Sequence, residues 1–423
     1  MEKRTKMQPF QLPFNPKDPS VLHIDLNSCF ATIEQQANPK LRGKPIAVAA
    51  YNSPSGCILA PSIEAKCFGI KTGMRVKEGK LLYPNLIVLS PDPWKYRTVH
   101  LRLRKLLSTY TDNLAPKSID EFVLNLEGYP AFKKGMVNIA AEIKKRIKEE
   151  IGDWLTVSIG IATNRFLAKT SAGLHKPDGL DVINQNNYEK IFQSLKLTDL
   201  CGIKARNAAR LGSMGIHTVM DFYNAPIHRL KSAFSSINGY YWHVRLHGWE
   251  IDDVESLRKS FGNSFALPRP LANTEELAPI LQKLVEKTGS RLRNAGYAAQ
   301  GVHLSLVFQD HDWWHHGHTI SKAFFDSRDI YKEVFRLLIN CPKKKPVILL
   351  AESCFNLQKL TSLQPDLFGE LGQKTKLTQA VDKINQRWGN FVITPARMLG
   401  TQNTIPDRIA FGGIKELEEI LVR

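Results

Sequence analysis

The sequence predicts a multi-domain α+β protein whose leading domain is built on a split βαβ, ferredoxin-like sheet. Three observations point there. The chain has 423 residues, and at roughly 100–200 residues per domain that length predicts two to four domains. Short apolar runs of strand length alternate with amphipathic helical patterns over 21–26 and 86–165, which is the order a split βαβ sheet needs. After a helical stretch, residues 261–355 mix the two periods again, which predicts a second α+β module.

Taken in order, residues 1–20 read as a flexible lead. VLHIDL (21–26) is a buried strand ending in an acid, and FATIEQQ after it has helical spacing. LRGKPIAVAAY (41–51) offers a turn and a strand, and IEAKCFGIKTGM (63–74) a helix stopped by Gly69. LIVLSPD (86–92) is a strand, and WKYRTVHLRLRKLLSTYT (94–111) places Val99, Leu101, Leu103, Leu106 and Leu107 mostly along a helix face. IDEFVLNL (119–126) alternates as strands do, GMVNIAAEIKKRIKEEIG (135–152) is an amphipathic helix with a basic outer face, and LTVSIGIA (155–162) is a strand. Residues 29–85 are thus an insertion in the sheet. Helices with short turns fill 185–248, and the charged IDDVESLRK (251–259) reads as a linker. The second module has a helix over 275–294, a strand over 301–308 and a helix over 326–340. Residues 357–423 read as a tail.

Hydrophobic residues make up 43% and charged residues 23%, and the net charge is +18. The first two values are those of a soluble globular protein, and the third points to a polyanion partner, a nucleic acid or an anionic membrane surface. No apolar run is long enough to span a bilayer, and the N-terminal MEKRTKMQPFQLPFNP is no secretory signal. The six cysteines form no C-x-x-C pair, so zinc is not expected and the thiols read as reduced, in a cytoplasmic protein.

The chemistry-bearing residues are acids at strand ends. Asp25 closes the first strand, and Asp120 and Glu121 open another. Neighbouring strands of one sheet would bring them together, where three carboxylates repel unless cations lie between them. Hard oxygen ligands suit Mg²⁺, and two such ions about 3.5–4 Å apart form a clamp for phosphoryl displacement. Alone, such acids read more readily as turn or cap residues.

The order of motifs adds a resemblance. HIDLNSCFATIEQ, EAKCFGIKTGM, SIDEFVLNL, SIGIATNRFLAKTSAGLHKPDG and CGIKARNAARLGSMGIHTV together resemble the Y-family of translesion DNA polymerases, over roughly residues 20–400. The resemblance implies a right-hand polymerase: a ferredoxin-like palm (21–28 and 86–183), small fingers (29–85), a helical thumb (184–248), a linker (249–260), an α+β little finger (261–355) and a C-terminal tail (356–423). It implies that Asp25 and Asp120 bridge two Mg²⁺ ions, that Glu121 holds the ion beside the primer 3′-hydroxyl, and that the Leu26 carbonyl ligates the nucleotide-side ion. The substrates implied are primer–template DNA and dNTP.

By the same resemblance the backbone at Ser28, Cys29 and Phe30 faces the triphosphate, as helix starts do. Lys176 in HKPDG binds it too. Lys66 stands where many members carry arginine, which keeps the charge and loses the two-pronged hydrogen bonding. Phe30, five residues after Asp25, is the steric gate against a ribose 2′-hydroxyl. Cys57 and Leu59 roof the nascent base pair. Ile63 and Ala60 replace a tyrosine and a threonine of the polymerase IV type, whereas Asn27, GCILA and the EAK triplet look more like the catalytic subunit of bacterial polymerase V.

Residues 200–219 resemble a helix-hairpin-helix in which Gly202 keeps the glycine turn and Lys204 replaces the second glycine. With Lys259, Arg291 and Arg293 they are the expected DNA contacts, which need be neither sequence-specific nor salt-resistant. HDWWHHGH (311–318) reads as an exposed hairpin turn rather than a metal site. Gln364, Leu367 and Phe368 in QPDLF resemble the pentapeptide that binds the bacterial sliding clamp, a tether that raises the enzyme's concentration at the primer end. The polymerase V likeness implies accessory mutagenesis subunits as further partners. No stretch is left over for proofreading, so low fidelity is expected. A non-catalytic DNA- and clamp-binding adaptor would not need the three acids. A nucleotide cyclase would not need the charge of +18.

Overall fold

A computed structural model describes residues 12–254, 258–363, 370–389, 391–401 and 404–405. Its strands are β1 (Val21–Leu26), β2 (Ile46–Ala49), β3 (Ile58–Pro61), β4 (Ile87–Leu89), β5 (Leu114–Pro116), β6 (Glu121–Asn125), β7 (Val157–Ala162), β8 (Leu180–Val182), β9 (Ser260–Leu271), β10 (Tyr297–Phe308), β11 (Trp313–Phe324) and β12 (Val347–Lys359). The chain falls into two compact units that divide after Val254.

The first unit is organised by a five-stranded sheet of order β5-β6-β1-β7-β8. β1 lies antiparallel between β6 and β7. Helix Pro93–Leu107 leads from β1 towards β5, and helix Met136–Arg146 from β6 to β7, which is the split βαβ arrangement expected. The two-residue period of β1 divides its side chains between the faces. Leu22, Ile24 and Leu26 enter a core with Leu103, Leu106, Leu107, Ile139 and Ile143 of those helices. Val21 joins a second core, across the sheet, with Phe166, Leu167 and the short helices that run from Tyr188 to Leu246.

Five readings of the sequence change here. β4, grouped above with the main sheet, pairs in parallel with β2 in a separate three-stranded sheet, β3-β2-β4. The lead is not loose from Leu12 onward. Phe14 is buried and stacks on Tyr188 at 4.2 Å, the Asn15 amide N–H donates to the His247 carbonyl at 2.8 Å, and the Trp249 indole donates to the Pro13 carbonyl at 3.0 Å. The segment after Leu246 is also pinned: Arg245 pairs with Asp252 at 2.8 Å, and the Glu250 carboxylate accepts the Arg165 amide N–H at 2.9 Å.

The other two changes lie in the second unit, a four-stranded sheet of order β11-β10-β12-β9 with helices Thr274–Asn294 and Ser327–Ile339. Only His311 and Asp312 of HDWWHHGH lie in the hairpin turn; Trp313–His318 open β11, a twelve-residue edge strand antiparallel to β10, with His315 opposite Ser305 and His316 opposite Leu304. What reads as a tail begins as strand: β12 runs to Lys359, and helix Glu370–Trp388 is tied to the unit by Asp382. Among the described residues no helix is long and apolar enough to cross a membrane.

Candidate active site

The register of β1 brings the predicted acids together. Asp25 lies opposite Glu121 on β6 and opposite Ser158 on β7. Asp120 is the residue just before β6, and its carbonyl accepts the Leu26 amide N–H at 2.9 Å. Asp25, Asp120 and Glu121 thus share one end of the sheet, on strands whose other face is fixed by the core.

Two lysines answer the charge. Lys176 Nζ donates to Asp25 Oδ2 at 2.5 Å, and Lys169 Nζ donates to both oxygens of Glu121, at 2.6 and 2.8 Å. Asp120 has neither. Desolvation pushes its carboxyl up to about 6, the Ser118 hydroxyl opposes this by donating to Oδ1, and the charges of Asp25 and Glu121 raise it further. Two ammonium groups against three carboxylates leave a negative remainder on hard oxygen donors, a set that fits Mg²⁺. Next to them His23 is 2% exposed, and neither of its ring nitrogens has a hydrogen-bond partner. Burial, reinforced by Lys169, pushes its imidazole down to about 3, so the ring is neutral at ordinary pH.

Local structure explains why each piece sits where it does. Helix Arg165–Ser171 starts at Asn164, whose side chain accepts the Leu167 amide N–H at 2.7 Å. It crosses β7 at Gly160, where a Cβ would lie 2.1 Å from the Ala168 carbonyl oxygen and 2.2 Å from the Ala172 nitrogen. Only glycine permits that approach, which carries Lys169 to Glu121. The HKPDG loop is tied to the end of β1: Asn27 Oδ1 accepts the Asp178 amide N–H at 2.8 Å, and Asn27 Nδ2 donates to Ser158 at 2.9 Å. Lys144 adds an ion pair to Asp178 at 3.0 Å. Ser28, between β1 and helix Cys29–Ala37, has φ 49°. This left-handed conformation is uncommon for a residue with a Cβ, and it turns the chain sharply beside the acids.

A cleft of about 600 Å³ opens there, lined by Asp25, Leu26, Asn27, Ser28, Cys29, Leu59, Ala60, Ile63, Lys66, Asp120 and Lys176, among others. Desolvation by burial and the charge of Lys176 push the Lys66 ammonium down, and the charge of Asp25 opposes them. Two expected residues are not on this surface. Phe30 is 1% exposed and stacks on Tyr96 at 4.3 Å, within the core beneath the first turn of its helix. Cys57 is exposed, bridged to Arg75, outside the cleft lining that includes Leu59.

The expected DNA contacts separate. Gly202 makes the turn at φ 88°, Lys204 starts helix Ala205–Gly212, and Lys204 and Lys259 are exposed. Arg293 is not available to a phosphate. It is 10% exposed and donates to both carboxylate oxygens of Asp382, at 2.6 and 2.7 Å, to the Phe325 carbonyl and to Ser327. Arg291 also turns inward, donating to the Gly262 carbonyl at 3.2 Å and to Asn263 at 3.0 Å. Gln364, Leu367 and Phe368 lie outside the described residues. Lys169, His23 and Asn27 as the tie for the HKPDG loop were missed as site residues. The one signal was a lysine in the otherwise apolar helical run FLAKTS.

Comparison with known proteins agrees with this geometry. The impB/mucB/samB family matches residues 24–173, and its C-terminal domain matches 258–367. DNA polymerase IV of Pelotomaculum thermopropionicum is 32% identical, over 92% of this chain and 97% of its own. DNA polymerase IV of Moorella thermoacetica is 33% identical, over 89% and 95%. Among solved structures, a Y-family DNA polymerase chimera of Dbh and Dpo4 superposes with a TM-score of 0.70 at 25% identity, covering 79% of this chain and 98% of that one. An insertion ternary complex of Dbh DNA polymerase, at TM-score 0.55 and 24% identity, shares the fold over 79% and 98%. The chain belongs to the impB/mucB/samB family, the Y-family DNA polymerases.

Proposed function

We propose that this chain is a DNA-directed DNA polymerase of the translesion class, adding nucleotides from dNTP to a primer 3′-hydroxyl with low fidelity. The observation that carries the reading is the cleft that holds Asp25, Asp120, Lys66 and Lys176, with Glu121 opposite Asp25 at its edge. Asp25, Asp120 and Glu121, with the Leu26 carbonyl, are the proposed ligands of two Mg²⁺ ions, which would neutralise charge developing on the transferred phosphoryl group and activate the 3′-hydroxyl. The protein's own part is placement and charge. The turn at Ser28 and Cys29 presents backbone N–H groups to the phosphates, while Lys66 and Lys176 hold them. The 3′-oxygen attacks the α-phosphorus in line, and pyrophosphate leaves.

Phe30 is proposed as the steric gate, acting from beneath the helix turn that lines the cleft. Leu59 is proposed over the base pair, with Cys57 nearer the rim. Lys204 and Lys259 are proposed phosphate contacts, with the Gly202 turn. Gln364, Leu367 and Phe368 are proposed to bind the bacterial sliding clamp, with accessory mutagenesis subunits as further partners, in the cytoplasm. An adaptor without chemistry is disfavoured, because it leaves the three acids and their lysines without a task.

Primer extension with Mg²⁺ on intact and abasic templates tests this. Asp120→Ala should lose at least about 10³-fold in rate. Phe30→Ala should incorporate ribonucleotides that wild type rejects, and clamp should lengthen products except with Phe368→Ala. A wild-type chain that binds primer–template and never extends it, with clamp and accessory subunits supplied, would make the adaptor reading correct.

A further inference from the structure

Behind Glu121 stands a buried side chain to which the proposed chemistry gives no role. His23 points to the same face of β1 as Asp25 and lies opposite Val123 of β6, next to Glu121 in the ladder. A buried polar group without a partner destabilises a fold, and such groups in native proteins call for a reason. His23 Nε2 lies 3.8 Å from Glu121 Oε2. That nitrogen side, one oxygen of Asp25 and one of Glu121 all fall within 4.8 Å of one another. Glu121 therefore stands between two donors. Lys169, charged, reaches it from helix Arg165–Ser171. His23, 3.8 Å away, faces it from the strand.

We infer that His23 is a positioning residue for the metal-binding side of the site: its Nε2–H takes one oxygen of Glu121 when the carboxylate turns from Lys169 toward a divalent cation. The inference rests on the reading of Asp25, Asp120 and Glu121 as metal ligands. Lys169 engages both oxygens of Glu121, and a cation among the three acids competes for those oxygens with an ammonium of like charge. A carboxylate that gives one oxygen to a metal is oriented by a donor on the other, and such outer partners tune affinity. His23 supplies that donor from β1 itself, the strand that carries Asp25. Closing from 3.8 Å to an ordinary N–H···O length of about 2.9 Å needs a movement of about 1 Å, within reach of one torsion of the Glu121 side chain.

The test is Mn²⁺ binding to the full chain on primer–template DNA without nucleotide, followed by electron paramagnetic resonance. Asp120→Ala should lose the site. His23→Leu should bind Mn²⁺ roughly tenfold more weakly, and His23→Gln, whose amide nitrogen has similar reach, should recover most of that loss. A role in packing alone predicts no such rescue. On the wild-type chain, with ¹⁵N-labelled histidine and the His23 signal assigned through His23→Gln, Mg²⁺ should shift the ring nitrogens and slow exchange of the Nε2 proton. This second measurement decides the matter if His23→Leu does not fold. Unmoved ring signals, or His23→Leu binding Mn²⁺ as wild type does, overturn the role of His23 and leave the metal site standing. Asp120→Ala binding Mn²⁺ as tightly as wild type overturns the metal reading and this inference with it.

Discussion

Asp120 in the first unit and Glu352 in the second are carboxyl groups raised mainly by desolvation, to about 6 and about 7. Their surroundings differ. Asp120 lines an open cleft with two other acids close by. Glu352, on β12, is 3% exposed, and its burial is opposed by the Thr288 hydroxyl it accepts, then by the charge of Arg291 and the Asn263 backbone. The cations divide the same way. Lys169 and Lys176 are 36% and 42% exposed where they meet Glu121 and Asp25, whereas Arg293 is sealed against Asp382. A desolvated charge at an open edge, with partners that can be exchanged, marks a site. The same charge closed in on all sides marks a brace.

The harshest way to break this comparison is Arg293→Leu. If Arg293 is a brace, leaving the part-buried Asp382 unpaired should lower stability by about 1–3 kcal/mol, read from urea unfolding, with the salt dependence of DNA binding unchanged in whatever chain remains folded. A stable variant with a shallower salt dependence would return Arg293 to the DNA surface. A smaller effect is expected at Glu352. Its folded pKa lies above the ordinary 4.5, so the stability it contributes is fully present below about pH 4.5 and is lost as pH rises through about 7. Glu352→Gln should flatten the fall in melting temperature across that window; an unchanged pH profile would show that Glu352 is not the group titrating. The smallest effect belongs to Lys259→Ala, which should leave stability alone and reduce the slope of log affinity against log salt by roughly one unit. An unchanged slope would remove Lys259 from the DNA contacts.

The sequence made the first sheet and its acids legible because both rest on period. VLHIDL and EFVLN are short apolar strands with acids at fixed places, and a two-residue repeat settles which side chains share a face. Where period was silent, the reading failed. β11 begins Trp-Trp-His-His and has no apolar alternation, because an edge strand with one exposed face need not have any. The eventual partner of Arg293 is 89 residues away in sequence, so nothing local separates an arginine that meets phosphate from one that meets Asp382. Lys169 sits at a helical position that period alone assigns to surface or core. It becomes a site residue only through the close crossing at Gly160, and that depends on tertiary packing.

The lead that enters β1 has a mechanical consequence. Through Phe14 on Tyr188, Asn15 on His247 and Gly248, and Trp249 on Pro13, it straps the helices from Tyr188 to Leu246 to the strand that carries Asp25. Those helices are therefore not an arm swinging from a single hinge. They are guyed at both ends, and tension applied along the lead would be felt at the strand that carries Asp25. A shortened chain starting at Val21 would keep every acid of the cleft and lose the guy line, and its loss should register first as slack in the grip on a moving primer terminus.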